Sequence, residues 1–298
     1  MPFCAGTAFL FYFHCMNGIL LNGKIISANE SALTVTNRGF RYGDALFETM
    51  KVTNGKIQLQ QYHFERLLSG LQLIKIEVPK LFKPEKIVPE IIRLCKRNKC
   101  ENLARVRLTV FRADGNLYES DNSLQYLIEC STLDETANQL NKNGLAIDVF
   151  PDARKSCDKF SNLKSANYLP YVMAALYAKK NKLNDCLVLN VNERICDASI
   201  ANVFWIKDGI IYTPPLIEGC VAGVMRRYLL EKIQGTGHKV QEKGCRMNDL
   251  ENADEIFLTN AIKGIRWVRQ FRNKIYTNTR IMKIYKDHLT PIFDLPSK

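Results

Sequence analysis

The 298-residue sequence predicts a two-domain α+β protein. Three observations predict it. The first half is dense in strand runs and carries Asn-Gly between two of them. Residues 131–143 are polar and lack strand character. Beyond them, short apolar runs alternate with segments of helical period.

In chain order, 19–26 alternates around Asn22-Gly23, a strand pair. Runs 46–52 and 56–60 flank Thr53-Asn54-Gly55 and read as a hairpin. Tyr62, Leu67, Leu68, Leu71 and Ile74 recur at helical spacing, which predicts a helix over 61–76, and a second helix fits 84–99. Segments 105–112 and 124–130 read as paired strands, with Arg38 and Arg41 on a further strand of unfixed phase. These elements make a small N-terminal domain, 16–134, followed by a linker, 135–143, and a larger domain, 144–298. In the larger domain, 145–150, 186–189, 203–206, 210–213 and 255–259 read as strands. Segments 166–182, 221–233 and 280–293 read as helices, the first with Leu169, Val172, Met173, Leu176 and Tyr177 as its apolar set.

Residues 1–15 are apolar and aromatic, without a positive start or a small-residue cleavage site, which argues against a secretory signal. Met16 is followed at once by a strand pattern, so 1–15 reads as a non-native or disordered extension. No apolar run is long enough to span a bilayer. The net charge of +12 attracts anions, but it is spread along the chain. Its densest part, Arg266, Arg269, Arg272, Lys274, Arg280, Lys283 and Lys286, lacks a recognised nucleic-acid-binding fold and reads as a solvated face, so no nucleic-acid partner is expected. Ten cysteines without a pair of CxxC steps imply free thiols in a reducing cytoplasm and no metal site.

Lys164 is the candidate reactive residue. An amine nucleophile needs a lowered pKa, and Arg154, Lys155, Lys159 and a nearby helix start would push that way. Arg66, on the first helix, offers paired donors for a phosphate. Gly223-Val224-Met225 opens a helix whose N–H groups can approach an anion. Thr259-Asn260-Ala261 ends a strand and adds a hydroxyl and an amide.

The segments Asn37-Arg38-Gly39-Phe40-Arg41-Tyr42-Gly43-Asp44-Ala45-Leu46-Phe47-Glu48, His63-Phe64-Glu65-Arg66-Leu67, Leu163-Lys164-Ser165-Ala166-Asn167-Tyr168, Asn202-Val203-Phe204, Tyr212-Thr213-Pro214, Gly223-Val224-Met225-Arg226 and Glu255-Ile256-Phe257-Leu258-Thr259-Asn260 occur in this order. The set resembles the class IV aminotransferases, the fold-type IV pyridoxal-phosphate enzymes, over residues 17–293. That family includes branched-chain and D-amino acid aminotransferases and 4-amino-4-deoxychorismate lyases. The resemblance implies a D-amino acid aminotransferase-like fold and a homodimer acting on a small amino-acid-like substrate. It also implies that Lys164 holds pyridoxal 5′-phosphate covalently and moves the Cα proton. Arg66, the N–H groups of Val224 and Met225, and Asn260 would bind the phosphate, and Tyr168 would stand near the phenolic oxygen. The partner of the pyridine nitrogen falls at Asp197, where the family usually has glutamate. Arg112 and Tyr42 are the candidate substrate contacts. Met225 and Thr259-Asn260-Ala261-Ile262 are similar to lyase versions, whereas the aminotransferases more often have threonine at the first position and Gly-Thr or Ser-Thr near the second. The expected activity is therefore the lyase, which releases pyruvate and 4-aminobenzoate, with an aminotransferase as the alternative.

Overall fold

The computed structural model describes residues 18–118, 122–234 and 239–293; the segment 1–15 lies outside them. The first half contains β1 (Gly18–Leu21), β2 (Lys24–Ser27), α1 (Arg38–Tyr42), β3 (Ala45–Thr53), β4 (Lys56–Ile57), α2 (Gln60–Leu73), α3 (Pro84–Arg97), β5 (Leu103–Arg112) and β6 (Leu124–Thr132). Its sheet is antiparallel, in the order β2-β1-β6-β5-β3-β4. The β3–β4 turn uses Asn54 (φ 49°) and Gly55 (φ 73°), both left-handed as a tight hairpin demands. Strand alternation puts Leu46, Met50, Val52, Val106, Leu108 and Val110 into one core with Leu67 and Leu71 of α2 and Ile87, Ile91 and Leu94 of α3.

The second half contains β7 (Leu145–Lys155), α4 (Leu169–Lys180), β8 (Asp185–Asn190), β9 (Ile195–Ala198), β10 (Asn202–Lys207), β11 (Ile210–Thr213), α5 (Val224–Ile233), β12 (Lys239–Glu242), α6 (Met247–Glu251), β13 (Glu255–Asn260), β14 (Gly264–Phe271), β15 (Lys274–Ile275), α7 (Thr279–Ile284) and α8 (Thr290–Phe293). The sheet runs β12-β11-β10-β13-β14-β7-β8-β9, and β9 pairs back onto β10 at Asp197 and Asn202. Six strands, β10, β13, β14, β7, β8 and β9, thus close on themselves. Ile147, Leu187, Ile195, Val203, Ile256 and Val268, one from each of the six, share a single buried cluster inside that ring.

Several expectations change. The Arg38–Tyr42 segment is a helix, not a strand. Asn37 caps it through a hydrogen bond from the Phe40 N–H, and Gly43 ends it at φ 66°. Only Lys56–Ile57 of 56–60 is strand, because α2 already begins at Gln60. The helix expected from 166 begins at Leu169, with Pro170 in its first turn. Its buried side is Tyr171, Ala174 and Ala178, so the apolar set Leu169, Val172, Met173 and Leu176 faces outward. The basic tail is not one solvated face. β14 runs through it as an interior strand, burying Ile265, Trp267, Val268 and Phe271. Arg269, Arg272, Arg280, Lys283 and Lys286 remain exposed. The predicted 280–293 helix is α7 and α8 separated by a π turn.

The polar stretch between the two sheets holds a 3-10 turn at Glu135–Asn138. Buried Lys51 of β3 ties this turn down, donating to the Ala137 carbonyl (3.1 Å) and Asn138 Oδ1 (2.9 Å). Among the described residues no helix is long and apolar enough to cross a membrane.

Candidate active site

Lys164 is positioned by backbone pairing between the two halves. The Phe47 N–H of β3 donates to the Lys164 carbonyl (2.9 Å), and the Ala166 N–H donates to the Ala45 carbonyl (2.9 Å). Gly43 lies against Asn167, where a Cβ would come within 2.5 Å of Oδ1, so this junction admits only glycine. The Lys164 amine sits 4.4 Å from the centre of the Phe47 ring and 5.7 Å from that of Tyr168. Removal from water, helped by the Arg66 and Arg107 charges, brings its pKa down to about 7, against the pull of Glu48 and Asp197. The neighbours expected from sequence are not the main cause. Arg154 pairs with Glu193 (2.6 Å) and Lys155 with Asp197 (3.2 Å).

Arg66 projects from α2, which is held against α5. Tyr62 donates to Glu231 (2.5 Å), and Arg227 pairs with Glu65 (2.5 Å). Arg66 grips Glu48 with two donors (2.8 and 2.5 Å) and gives a third to the Ala222 carbonyl (2.9 Å), just before α5. Three of its five N–H groups are used, and two remain for an anion. Glu48 also receives His63 Nδ1 at 2.6 Å. Burial opposes its charge, yet Arg66 and His63 hold its carboxyl down at about 2. The α5 N-terminus has no side-chain cap. Gly223 is required there because a Cβ would overlap Asn202 Oδ1 at 1.8 Å.

Asp197 is 1% exposed and lies at the seam that closes the second sheet. Its Oδ2 accepts from Lys155 (3.2 Å), Tyr171 (2.7 Å) and the Val221 N–H (2.9 Å). Its Oδ1 accepts from Asn202 Nδ2 (3.0 Å), which leaves one acceptor position on that oxygen. Burial pushes its pKa up, with Lys155 pulling the other way.

The other expected residues divide. Val224 and Met225 open α5 and are buried. Tyr168 caps α4 and donates to the Ser199 carbonyl (3.0 Å). Asn260 turns its Oδ1 onto the N–H groups of Ile262 (3.1 Å) and Lys263 (2.8 Å), and its Nδ2 donates to the Ile200 carbonyl (3.3 Å). Beside it, the Thr259 hydroxyl is buried without a hydrogen-bond partner among the described residues. Arg112 is held within the fold. It clamps Asp44 (2.8 Å), the carbonyls of Ile74 (2.7 Å) and Lys75 (3.1 Å), and Asn122 (2.5 Å). Arg38 pairs with the same Asp44 (2.9 Å), and Arg41 is exposed. Tyr42 lies under both guanidiniums, 5.3 and 5.1 Å from its ring centre.

Arg107 was not singled out from sequence. It stands opposite Thr49 on β5, with its guanidinium 3.7 Å from the centre of the Phe47 ring that Lys164 also touches. The alternation Arg105-Val106-Arg107-Leu108-Thr109 was the available signal: the even positions are fully buried and the odd ones only partly.

The family model for amino-transferase class IV matches residues 45–271, a span that contains Lys164, Arg66, Asp197 and α5. The chain belongs to the class IV aminotransferase family. As such it is an enzyme whose cofactor is pyridoxal 5′-phosphate. An aminodeoxychorismate lyase from Bacillus subtilis is 29% identical over 252 residues, 82% of this chain and 83% of that protein. A D-alanine aminotransferase from Listeria innocua is 25% identical over 248 residues, covering 81% and 83%. The solved branched-chain aminotransferase of Thermoproteus uzoniensis superposes with a TM-score of 0.83 at 21% identity, covering 93% of this chain and 94% of that one. The residues fit the cofactor. The amine of Lys164 has a pKa of about 7, Arg66 has N–H groups to give, the α5 N-terminus is open, and Thr259 keeps an unused hydroxyl.

Proposed function

We propose that this class IV family enzyme is a 4-amino-4-deoxychorismate lyase, cleaving its substrate to pyruvate and 4-aminobenzoate. When bound, pyridoxal phosphate supplies the electron sink that makes a Cα proton removable. Lys164 would carry the cofactor. Arg66, the N–H groups of Val224 and Met225, and the Thr259-Asn260 corner would take its phosphate. Asp197 would face the ring nitrogen with its remaining acceptor position, and Tyr168 would line the ring's other edge. The Lys164 amine is the base best placed to withdraw the Cα proton, because its lowered pKa leaves a large neutral fraction near pH 7. Loss of the enolpyruvyl group then leaves an aromatic ring, which drives the reaction downhill. Arg107 is the cation best placed for a substrate carboxylate, since it shares the Phe47 ring with Lys164.

The lyase reading rests on the phosphate end of the site. There, buried Met225 stands where an aminotransferase more often has threonine, and Asn260 follows Thr259. The enzyme is read as a cytoplasmic homodimer, and the outward apolar residues of α4 support the dimer. The test is to incubate purified enzyme with 4-amino-4-deoxychorismate and, separately, with leucine or D-alanine plus 2-oxoglutarate. Formation of 4-aminobenzoate without keto-acid exchange is expected. Rapid glutamate formation would replace the lyase with an aminotransferase.

A further inference from the structure

Away from the cofactor site, the N-terminal domain gathers three cysteines, two from the end of one helix and one from a strand. α3 ends with Lys99 in the left-handed region (φ 55°). The Cys100 N–H bonds the Cys95 carbonyl (2.9 Å), and the Lys99 N–H bonds the Lys96 carbonyl (3.0 Å). This is the Schellman closure, which brings the side chain two residues past the helix cap onto the one three residues before it. That contact is ordinarily apolar; here both members are cysteines. The third thiol comes from β6, where Cys130 pairs with Val106 of β5.

The three sulfurs lie within 4.8 Å of one another, and those of Cys100 and Cys130 are 3.6 Å apart. All three residues are at most 3% exposed. Sulfurs bound to one ion at about 2.3 Å would stand roughly 4 Å apart in a trigonal plane, so the cluster is already close to that size. Asn98 adds an observation that small hydrophobes in a core would not require. Its Nδ2 donates to Cys130 Sγ at 3.2 Å, the kind of contact that steadies a thiolate ligand. The same amide group spans the Gly18 N–H (3.1 Å) and carbonyl (2.9 Å), fixing Asn98 to the first strand.

We propose that Cys95, Cys100 and Cys130 form a binding site for one thiophilic d10 cation, with Cu(I) as the occupant. Sulfur ligands alone select soft ions. Zinc sites take four ligands, and the described histidines and carboxylates add none to these three sulfurs. Coordination would release thiol protons to the buffer, with no change of oxidation state.

The experiment uses the pyridoxal-phosphate-loaded enzyme, purified without oxygen and titrated with Cu(I) against a bicinchoninate competitor. The wild type should take one equivalent that C100S and C130S each lose by 100-fold or more in affinity. Both variants should keep the cofactor's visible absorbance and the melting temperature of the parent, which separates loss of the site from loss of fold. Should a serine variant melt early, C95A and N98A repeat the comparison, and N98A should weaken Cu(I) without abolishing it. X-ray absorption at the copper edge should show sulfur neighbours only. Equal Cu(I) uptake by wild type and both variants, nitrogen or oxygen neighbours, or uptake of zinc but not Cu(I) would overturn the proposal. None of these readouts depends on which reaction the enzyme catalyses.

Discussion

The Lys155 ammonium sits 3.2 Å from Asp197 Oδ2, with the two side chains 12% and 1% exposed. Lys155 ends β7, and Asp197 lies on β9, at the pairing that closes the second sheet. Burial pushes the Asp197 pKa up, and the Lys155 charge pulls it the other way. Four donors hold the Asp197 carboxylate in place, at the position proposed for the family's usual glutamate.

Removing the cation should therefore be costly. K155M strands a buried charge, and breaking such a pair costs about 3–5 kcal/mol. The unfolding free energy from urea titration should fall by that amount. K155M/D197N should recover part of it, because the neutral amide no longer needs a counter-ion. An unchanged midpoint for K155M would show that the Tyr171, Val221 and Asn202 donors suffice without it.

A second prediction concerns Arg66. R66K keeps one positive charge but cannot hold Glu48 with two donors and still reach Ala222. A charged hydrogen bond is worth about 1.5–3 kcal/mol, and each 1.4 kcal/mol is tenfold in affinity. Pyridoxal phosphate should bind R66K about 10- to 100-fold more weakly in absorbance titrations. Pyridoxal without its phosphate should bind both forms equally. A uniform loss for both ligands would mean that Arg66 acts by holding the fold instead.

Much of this arrangement was legible in sequence because local rules and tertiary structure agree. The Asn54-Gly55 hairpin and the periodic apolar face of α2 read directly, and α2 carries Arg66 with it. β14 was hidden because Arg266 and Arg269 interrupt an otherwise apolar strand. Its place between β13 and β7 comes from non-local pairing that no local window contains. α1 was hidden because five residues ended by glycine carry no periodicity; its cap at Asn37 is the only local sign. Arg107 was passed over, and Lys155 was assigned to Lys164 rather than to Asp197, for a different reason. One basic residue on a strand looks like any other until the register says what faces it. Arg112 shows the converse: its motif pointed to a ligand, yet its donors hold Asp44 and two carbonyls.

The amine of Lys164 gives a pH prediction. Covalent attachment of the cofactor needs the neutral form, and burial with the Arg66 charge lowers the pKa from the ordinary 10.5 to about 7. The neutral fraction therefore rises through pH 7 and is nearly complete by about pH 8. Stopped-flow mixing of apoenzyme with pyridoxal phosphate should give an attachment rate that climbs between pH 6 and 8 and then levels. An amine at its ordinary value would keep climbing beyond pH 9. K164A should stay colourless, and hydride trapping should label the wild type at position 164 alone.

The last prediction follows from α4. Its buried side is Tyr171, Ala174 and Ala178, while Leu169, Val172, Met173 and Leu176 are between 44% and 70% exposed on the other. A helix apolar on both sides is normally covered on both. A contiguous apolar strip of this kind marks an interaction surface. A second copy of the chain is the partner that the family resemblance implies. Light scattering should give twice the 34.1 kDa chain mass for the wild type. V172E/L176E should bring it to one chain at micromolar concentration, with the circular dichroism of the fold retained. A wild type that is already one chain, or a double variant that remains two, would place the contact elsewhere.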